Sequence, residues 1–192
     1  MNTQEQEYGK KIVANSKEKT LSLYENEKLQ QVFKKVCFGK NGVTNEKKEG
    51  DGCTPLGTFP IGFAFGTEIL KTSYPYYELN HNIYWVSDPN SPYYNKWVDV
   101  TTDEKTYNYS YMHTCKKMDW LESEHLIDFK TQYQLAIVIE YNINPTRKNK
   151  GSAIFLHVKN KEYTAGCIAV SKEEILTIIK WLENGPATIE IC

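Results

Sequence analysis

The sequence predicts a mainly β fold with one or two short helices, in one domain. Three observations carry this. Short runs of β-branched and aromatic residues recur along the chain, separated by clusters of Gly, Pro, Asn and Asp. The 192 residues hold 14 Tyr, 7 Phe and 4 Trp, side chains that fit pleated surfaces and line wet clefts. An amphipathic helix with its own cap occurs once, near the end of the chain. A chain of this size buries about 70% of its extended surface, enough for a core without covalent staples.

Residues 1–10 are polar and read as a disordered tail, which leaves 11–192 as the domain. Residues 12–15 and 20–24 are short strands, the second with Leu21 and Leu23 on one face. Residues 29–38 form a longer β-like run. Residues 39–52 are charged and glycine-rich and read as a loop outside the core, with the charges of 46–51 solvated. Pro55 and Pro60 suit an edge strand or irregular ribbon over 54–65, not a central strand. Residues 82–86 are a strand, and 87–95 are a loop with strong turn chemistry. No period is clear over 99–120. Leu121, His125 and Leu126 share a face if 120–129 is a short helix. Residues 135–141 and 153–158 are apolar, β-branched runs that read as a β-hairpin with a long connection. Ser171 and Glu174 make a capping box. Ile175, Ile178, Ile179 and Leu182 form one apolar face behind it, Gly185-Pro186 stops the helix, and 187–191 is a final strand.

Composition narrows the function classes. A net charge of −1 supplies no strong field for nucleic acid or acidic lipid, and neither partner is expected. No apolar run approaches the roughly 20 residues of a membrane helix. The first residues lack the apolar core of a signal peptide, which fits a cytoplasmic protein or a mature portion equally. The five cysteines (37, 53, 115, 167 and 192) cannot all pair within one chain, and their spacings match no zinc pattern. Cys37 reads as a buried small hydrophobe.

Chemistry concentrates at one place. Cys167 lies in Tyr163-Thr-Ala-Gly-Cys-Ile-Ala-Val170, ten residues after His157. A thiol needs a base to become a nucleophile at neutral pH, and small neighbours so that a carbonyl can approach. Ala153, Phe155 and His157 share one strand face, and residues 158–166 are long enough to fold back and bring sulfur to imidazole. Thr164 can shape the turn by local hydrogen bonding, and N–H groups near Gly166 and Cys167 can form an oxyanion hole. These residues alone are compatible with nucleophilic catalysis. They are also compatible with a buried structural thiol beside a strand histidine held by a carbonyl.

The segment Gly151-Ser-Ala-Ile-Phe-Leu-His-Val158, followed by Tyr163-Thr-Ala-Gly-Cys-Ile-Ala-Val-Ser171, resembles the active-site signature of the L,D-transpeptidase catalytic domain, the YkuD-like family. Glu49-Gly-Asp-Gly-Cys-Thr-Pro-Leu-Gly-Thr-Phe-Pro60 resembles its upstream Thr-Pro stretch, and the segments 85–95 and 122–125 resemble a bacterial subgroup with Thr-Ala-Gly-Cys at the active site. The resemblance spans roughly residues 11–191. It implies a β-sandwich of mixed sheets with one or two short helices, and a substrate, the stem peptide of bacterial peptidoglycan. Cys167 would be the nucleophile and His157 the base, with Gly166 and Cys167 offering oxyanion N–H groups. Tyr94, Asn95 and His125 are candidates for lining the cleft, each with an ordinary structural alternative. No metal or cofactor is required by this chemistry. The resemblance also implies an extracytoplasmic location, cell wall or periplasm, and a monomer is expected.

The commonest family motif carries a second histidine where this sequence has Ala165, and Asn or Arg where it has Ala169. His157 is then the one histidine of the motif and serves as both base and acid. An amine acceptor would give a 3–3 crosslink, and water would make the enzyme an L,D-carboxypeptidase. A non-catalytic wall-binding module and an intracellular thiol hydrolase or redox sensor stay open as alternatives.

Overall fold

The computed structural model describes residues 9–103 and 105–192. The chain opens with three antiparallel strands, β1 (Lys10–Asn15), β2 (Thr20–Glu25) and β3 (Lys28–Lys34). Asn26 and Glu27, both at positive φ, make the two-residue turn between β2 and β3 that matches the twist of a hairpin. Most of the expected tail falls outside the described residues, but Lys10 belongs to β1, pairs with Ala187 and is buried. The run expected over 29–38 is broken at Lys35, which takes a positive φ. Residues beyond it leave β2 and bridge to Ala169 and Thr164 instead.

Two short strands, β4 (Val43–Thr44) and β5 (Thr54–Pro55), pair in parallel within the glycine-rich stretch. That stretch is not wholly outside the core, since Lys47 is 5% exposed. Next, β6 (Gly57–Gly66) is a central strand and not the edge that its prolines suggest. Residues 57–60 pair with β15 (Ala187–Ile191) on one side, and 61–65 pair with β12 (Ala136–Ile139) on the other. Pro60 sits at the end of the first ladder, where the strand changes partners, so a central position tolerates its missing donor.

A second sheet collects β8 (Ile83–Val86), β9 (Lys96–Val100), β10 (Met112–Cys115) and β11 (Ser123–His125) in the order β10-β9-β8-β11. The helix expected over 120–129 is absent. Residues 123–125 pair with β8, a single 3₁₀ turn follows at Leu126–Asp128, and Leu121 is 93% exposed. The pair β12 and β13 (Phe155–Val158) forms the antiparallel hairpin that the apolar runs predict. β14 (Ile168–Val170) then adds in parallel to β13. Helix α1 (Lys172–Leu182) carries the expected capping box. Ser171 accepts from the Glu174 N–H, and the Glu174 carboxylate accepts from the Ser171 N–H at 2.7 Å.

The large sheet runs β14-β13-β12-β6-β15-β1-β2-β3, with β7 (Tyr76–Glu78) beside the far end of β6. One face packs on α1 through Ile154, Leu156, Val158, Ile175, Ile178 and Ile179. The other half of the alternation, Ala153 and Phe155 with Phe63 and Phe65, faces the small sheet and its Trp85 and Trp97. This is a β-sandwich of mixed sheets with one covering helix. Much of the tyrosine excess sits in this second core. Phe63 meets Tyr77, Tyr109 and Tyr111 at 5.0–5.8 Å between centroids, so these rings fill the sandwich as well as its clefts. No helix of the described residues is long and apolar enough to cross a membrane.

Candidate active site

The parallel pairing of β13 and β14 places the two predicted chemical groups. His157 is in register with Ala169, and Cys167 stands immediately before β14. The connection between these parallel strands is nine residues, short for such a crossover. It is held by a clamp from the segment after β3, where Thr164 N–H donates to the Phe38 carbonyl and Lys40 N–H to the Thr164 carbonyl, both at 2.9 Å. Cys37 and Ala169 exchange both backbone bonds at 2.9 Å, fixing the start of β14 in the same way.

Cys167 is 8% exposed. Its Sγ accepts from the Phe155 N–H at 3.3 Å and donates to the Ala153 carbonyl at 3.2 Å. Burial, together with the charge of Glu124, pushes the thiol up to about 12, against the pull of the Phe155 N–H and Lys47. The resting sulfur is therefore a protonated thiol. Its carbonyl accepts from Thr164 Oγ1 at 2.6 Å and from Thr54 Oγ1 at 3.3 Å, so two hydroxyls fix the peptide plane after the nucleophile. Gly166 takes a φ of +152°, and a Cβ there would stand 2.9 Å from the Cys53 carbonyl oxygen. A close backbone approach thus requires glycine at this position.

His157 is 5% exposed, and its Nδ1 donates to the Val158 carbonyl at 2.9 Å. A carbonyl only accepts, so the proton is on Nδ1 and Nε2 keeps its lone pair. Burial holds the ring down at about 4, opposed by that backbone bond, and the imidazole is neutral. The pair at rest is thiol and imidazole, not thiolate and imidazolium. His157 and Cys167 open into one pocket of about 300 Å³, shared with Thr164, Ala165, Glu124 and Tyr133. Among the described residues no three His, Cys, Asp or Glu side chains converge to hold a metal ion.

The sequence profile of the L,D-transpeptidase catalytic domain matches residues 9–191. The chain belongs to this family. A search of curated proteins returns no match. Among solved structures, the helical cell shape determining protein Pgp2 from Campylobacter jejuni superposes with a TM-score of 0.52, at 14% identity, over 97% of this chain and 48% of that one. A point variant of Pgp2 gives 0.53 at 15% identity, over 97% and 47%. L,D-transpeptidase 1 of Mycobacterium tuberculosis gives 0.42 at 14% identity, over 96% of this chain and 62% of that one. The chain spans about half the length of the Pgp2 structures it matches.

Within this L,D-transpeptidase domain the candidates Thr164 and Ala165 line the pocket, whereas Tyr94, Asn95 and His125 lie elsewhere. The Gly166 N–H is not free for an oxyanion, because it donates to Thr164 Oγ1 at 3.1 Å. Tyr94 bonds through its hydroxyl to Glu49 and accepts from the Gly151 N–H, and it lines a separate groove beside Asn144-Pro145. Asn95 is buried. Its Oδ1 accepts from Trp85 Nε1 and from the Ala153 N–H, and its Nδ2 donates to the Tyr141 and Asn142 carbonyls. Asn95 thereby fixes Ala153, a non-glycine residue at positive φ whose carbonyl receives the thiol proton. His125 stacks on Tyr84 at 4.5 Å, with Nδ1 toward Asp128 and Nε2 toward the His81 carbonyl, and does not line the pocket.

Three features in and around the pocket carry no functional expectation from the sequence. Glu124 lines the pocket, and Tyr133 donates its hydroxyl to it at 2.5 Å. The signal was present in Ser123-Glu-His125. As a strand, its two-residue period turns Glu124 to the side opposite His125. Tyr133 carries no local signal, since it sits in a 3₁₀ turn and meets the His157 ring edge-on at 5.9 Å. Lys47, expected among solvated charges, is buried with Nζ 2.6 Å from Asp51, and its stem lies against Gly151 and Gly166. Its long apolar stem explains how a lysine covers the back of the site.

Proposed function

We propose that this domain is a cysteine-dependent acyltransferase acting on peptidoglycan stem peptides, forming 3–3 crosslinks through a thioester on Cys167. The observation that carries the reading is the tautomer of His157. With Nδ1 committed to the Val158 carbonyl, Nε2 keeps its lone pair for the thiol proton, in a pocket that also holds Cys167.

The chemistry follows from that arrangement. His157 Nε2 takes the thiol proton as sulfur attacks the carbonyl of the third stem residue, and the bond to the terminal D-alanine breaks. Burial disfavours both charges, so the ion pair forms as the substrate arrives and is not stored beforehand. The N–H of Cys167 receives the developing oxyanion, that of Gly166 being held by Thr164. The imidazolium then protonates the leaving nitrogen. A side-chain amine of a neighbouring stem attacks the thioester, and His157 returns a proton to sulfur. Water in place of the amine gives L,D-carboxypeptidase products. Such a substrate places the protein outside the cytoplasmic membrane. A role in cell shape, stated for the Campylobacter jejuni neighbour, fits an enzyme that alters wall crosslinks.

The test is incubation with defined disaccharide-tetrapeptides and mass spectrometry of the products. A 3–3 linked dimer from the wild type, absent with Cys167→Ala, is expected. Untouched tetrapeptides, or turnover that survives Cys167→Ala, would overturn the reading.

A further inference from the structure

A proton balance points to a second acid–base group in the pocket. Aminolysis of a thioester by an alkylammonium ion releases two protons from one nitrogen. One must leave before attack, because the ammonium has no lone pair, and the other leaves as the C–S bond breaks. His157 has a single free nitrogen, Nε2, and can carry only one of them. Water as acceptor needs no more than that.

Glu124 is the carboxylic acid lining the same pocket as Cys167 and His157. It extends from β11, which pairs with β8 and fixes its direction. Tyr133, 3% exposed, donates to its Oε2, and this is its one hydrogen-bond donor among the described residues, which leaves Oε1 for a substrate. The groups around it are Tyr133, Cys167 and His157, with Lys40 and Lys161 lining the same pocket and the charge of Glu49 acting on it as well. We propose that Glu124 is a catalytic residue that accepts the first proton of the acceptor ammonium and, in the acylation half, returns a proton to the departing amine. The proposal rests on the transpeptidase reading above.

The balance closes. In acylation, the thiol proton passes through His157 to the leaving nitrogen, which departs as neutral amine and takes a second proton from the Glu124 carboxyl. In deacylation, the incoming ammonium gives one proton to the Glu124 carboxylate and attacks the thioester carbonyl. It then passes another through His157 to sulfur as the C–S bond breaks. The cycle ends with thiol, neutral imidazole and protonated Glu124, as it began. Such a group must sit near half protonation at the working pH, and burial, against the Tyr133 hydrogen bond, lifts Glu124 to about 7.

The experiment compares wild type, Glu124→Gln and Tyr133→Phe with a tetrapeptide donor and two acceptors. One acceptor is a lysine-type amine, an ammonium at pH 7. The other is hydroxylamine, which is unprotonated there. With Glu124→Gln, attack by the lysine-type amine should fall about 100-fold or more at pH 7 and recover as pH rises, and this loss should exceed that of hydroxylamine attack on the same thioester by about tenfold or more. With Tyr133→Phe, the rising limb of the lysine-type reaction should move to higher pH, because the bond that favours the carboxylate is gone. Equal loss of both acceptors, or no loss of the lysine-type reaction, overturns the assignment of Glu124 while leaving the transpeptidase reading intact. Wild type that forms no thioester overturns both.

Discussion

Replacing Asn95 by Ala removes four hydrogen bonds in one place. Trp85 Nε1 (2.9 Å) and the Ala153 N–H (3.1 Å) lose their acceptor, and the Tyr141 (3.1 Å) and Asn142 (2.8 Å) carbonyls lose their donor. The residue is 1% exposed and its neighbour Trp85 likewise, so little water reaches the Trp85 and Ala153 donors in the native state, while the two carbonyls are partly buried. Each orphaned buried group costs about 1–3 kcal/mol, and some relaxation into the vacated space offsets part of the total, leaving about 4 kcal/mol. Asn95 also sits at φ 57°, a left-handed conformation that alanine adopts at a cost of about 1 kcal/mol. The expected destabilisation of roughly 5 kcal/mol is a large share of the 5–15 kcal/mol of an ordinary domain. Urea denaturation followed by tryptophan fluorescence measures it, as a fall in midpoint at constant slope. Because Asn95 fixes Ala153, and the Ala153 carbonyl receives the Cys167 S–H, the folded fraction should also lose activity. A loss of under about 1.5 kcal/mol would refute the reasoning, since it would mean that these four groups find other partners.

Three further predictions concern the site. Since burial holds the Cys167 thiol protonated, its alkylation by iodoacetamide, read by peptide mapping, should climb about tenfold per pH unit from 7 to 10, and a plateau by pH 8 would contradict this. Gly166→Ala drives a methyl against the Cys53 carbonyl, so it should move Cys167 and cut turnover about 100-fold, measured as kcat at saturating donor. Glu124 binds a proton in the folded state up to about pH 7 but only to about 4.5 when unfolded, so its ionisation lowers stability as pH rises between those values. His157, held down at about 4 when folded, acts in the opposite sense between about 4 and 6.5, so the two slopes nearly cancel in the wild type. Glu124→Gln should therefore be more stable than wild type by about 3 kcal/mol at pH 8 and nearly equal to it at pH 4. Urea titrations at the two pH values check this, and an unchanged difference between them would refute it.

What the sequence revealed was what local patterns encode. Ser171 and Glu174 cap α1 within a single turn, and the apolar positions of α1 and β13 repeat at fixed periods, so each was readable without knowing its neighbours. The Cys167–His157 pair was readable because one short loop joins them. The errors came from long-range partners. Pro60 lies in a central strand because β6 exchanges β15 for β12 at that point, a choice made by chain segments far away in sequence. Residues 123–125 are too few for a strand period to show, and Leu121, read as part of an apolar helix face, is exposed. Asn95 was a turn residue by type, and only the approach of Trp85, residues 141–142 and Ala153 makes it a buried bolt. Lys47 and Glu124 are charged residues that sequence composition assigns to water, and the loops around residues 151 and 166 and the Tyr133 hydroxyl bring them to the site.

The most direct measurement is the intact mass of the protein mixed with a tetrapeptide donor and quenched in acid within a turnover. The account predicts a gain equal to the donor minus one D-alanine, carried by Cys167 on peptide mapping, labile to hydroxylamine and absent from Cys167→Ala. No adduct, or an adduct on Cys37, Cys53, Cys115 or Cys192 in its place, would contradict it.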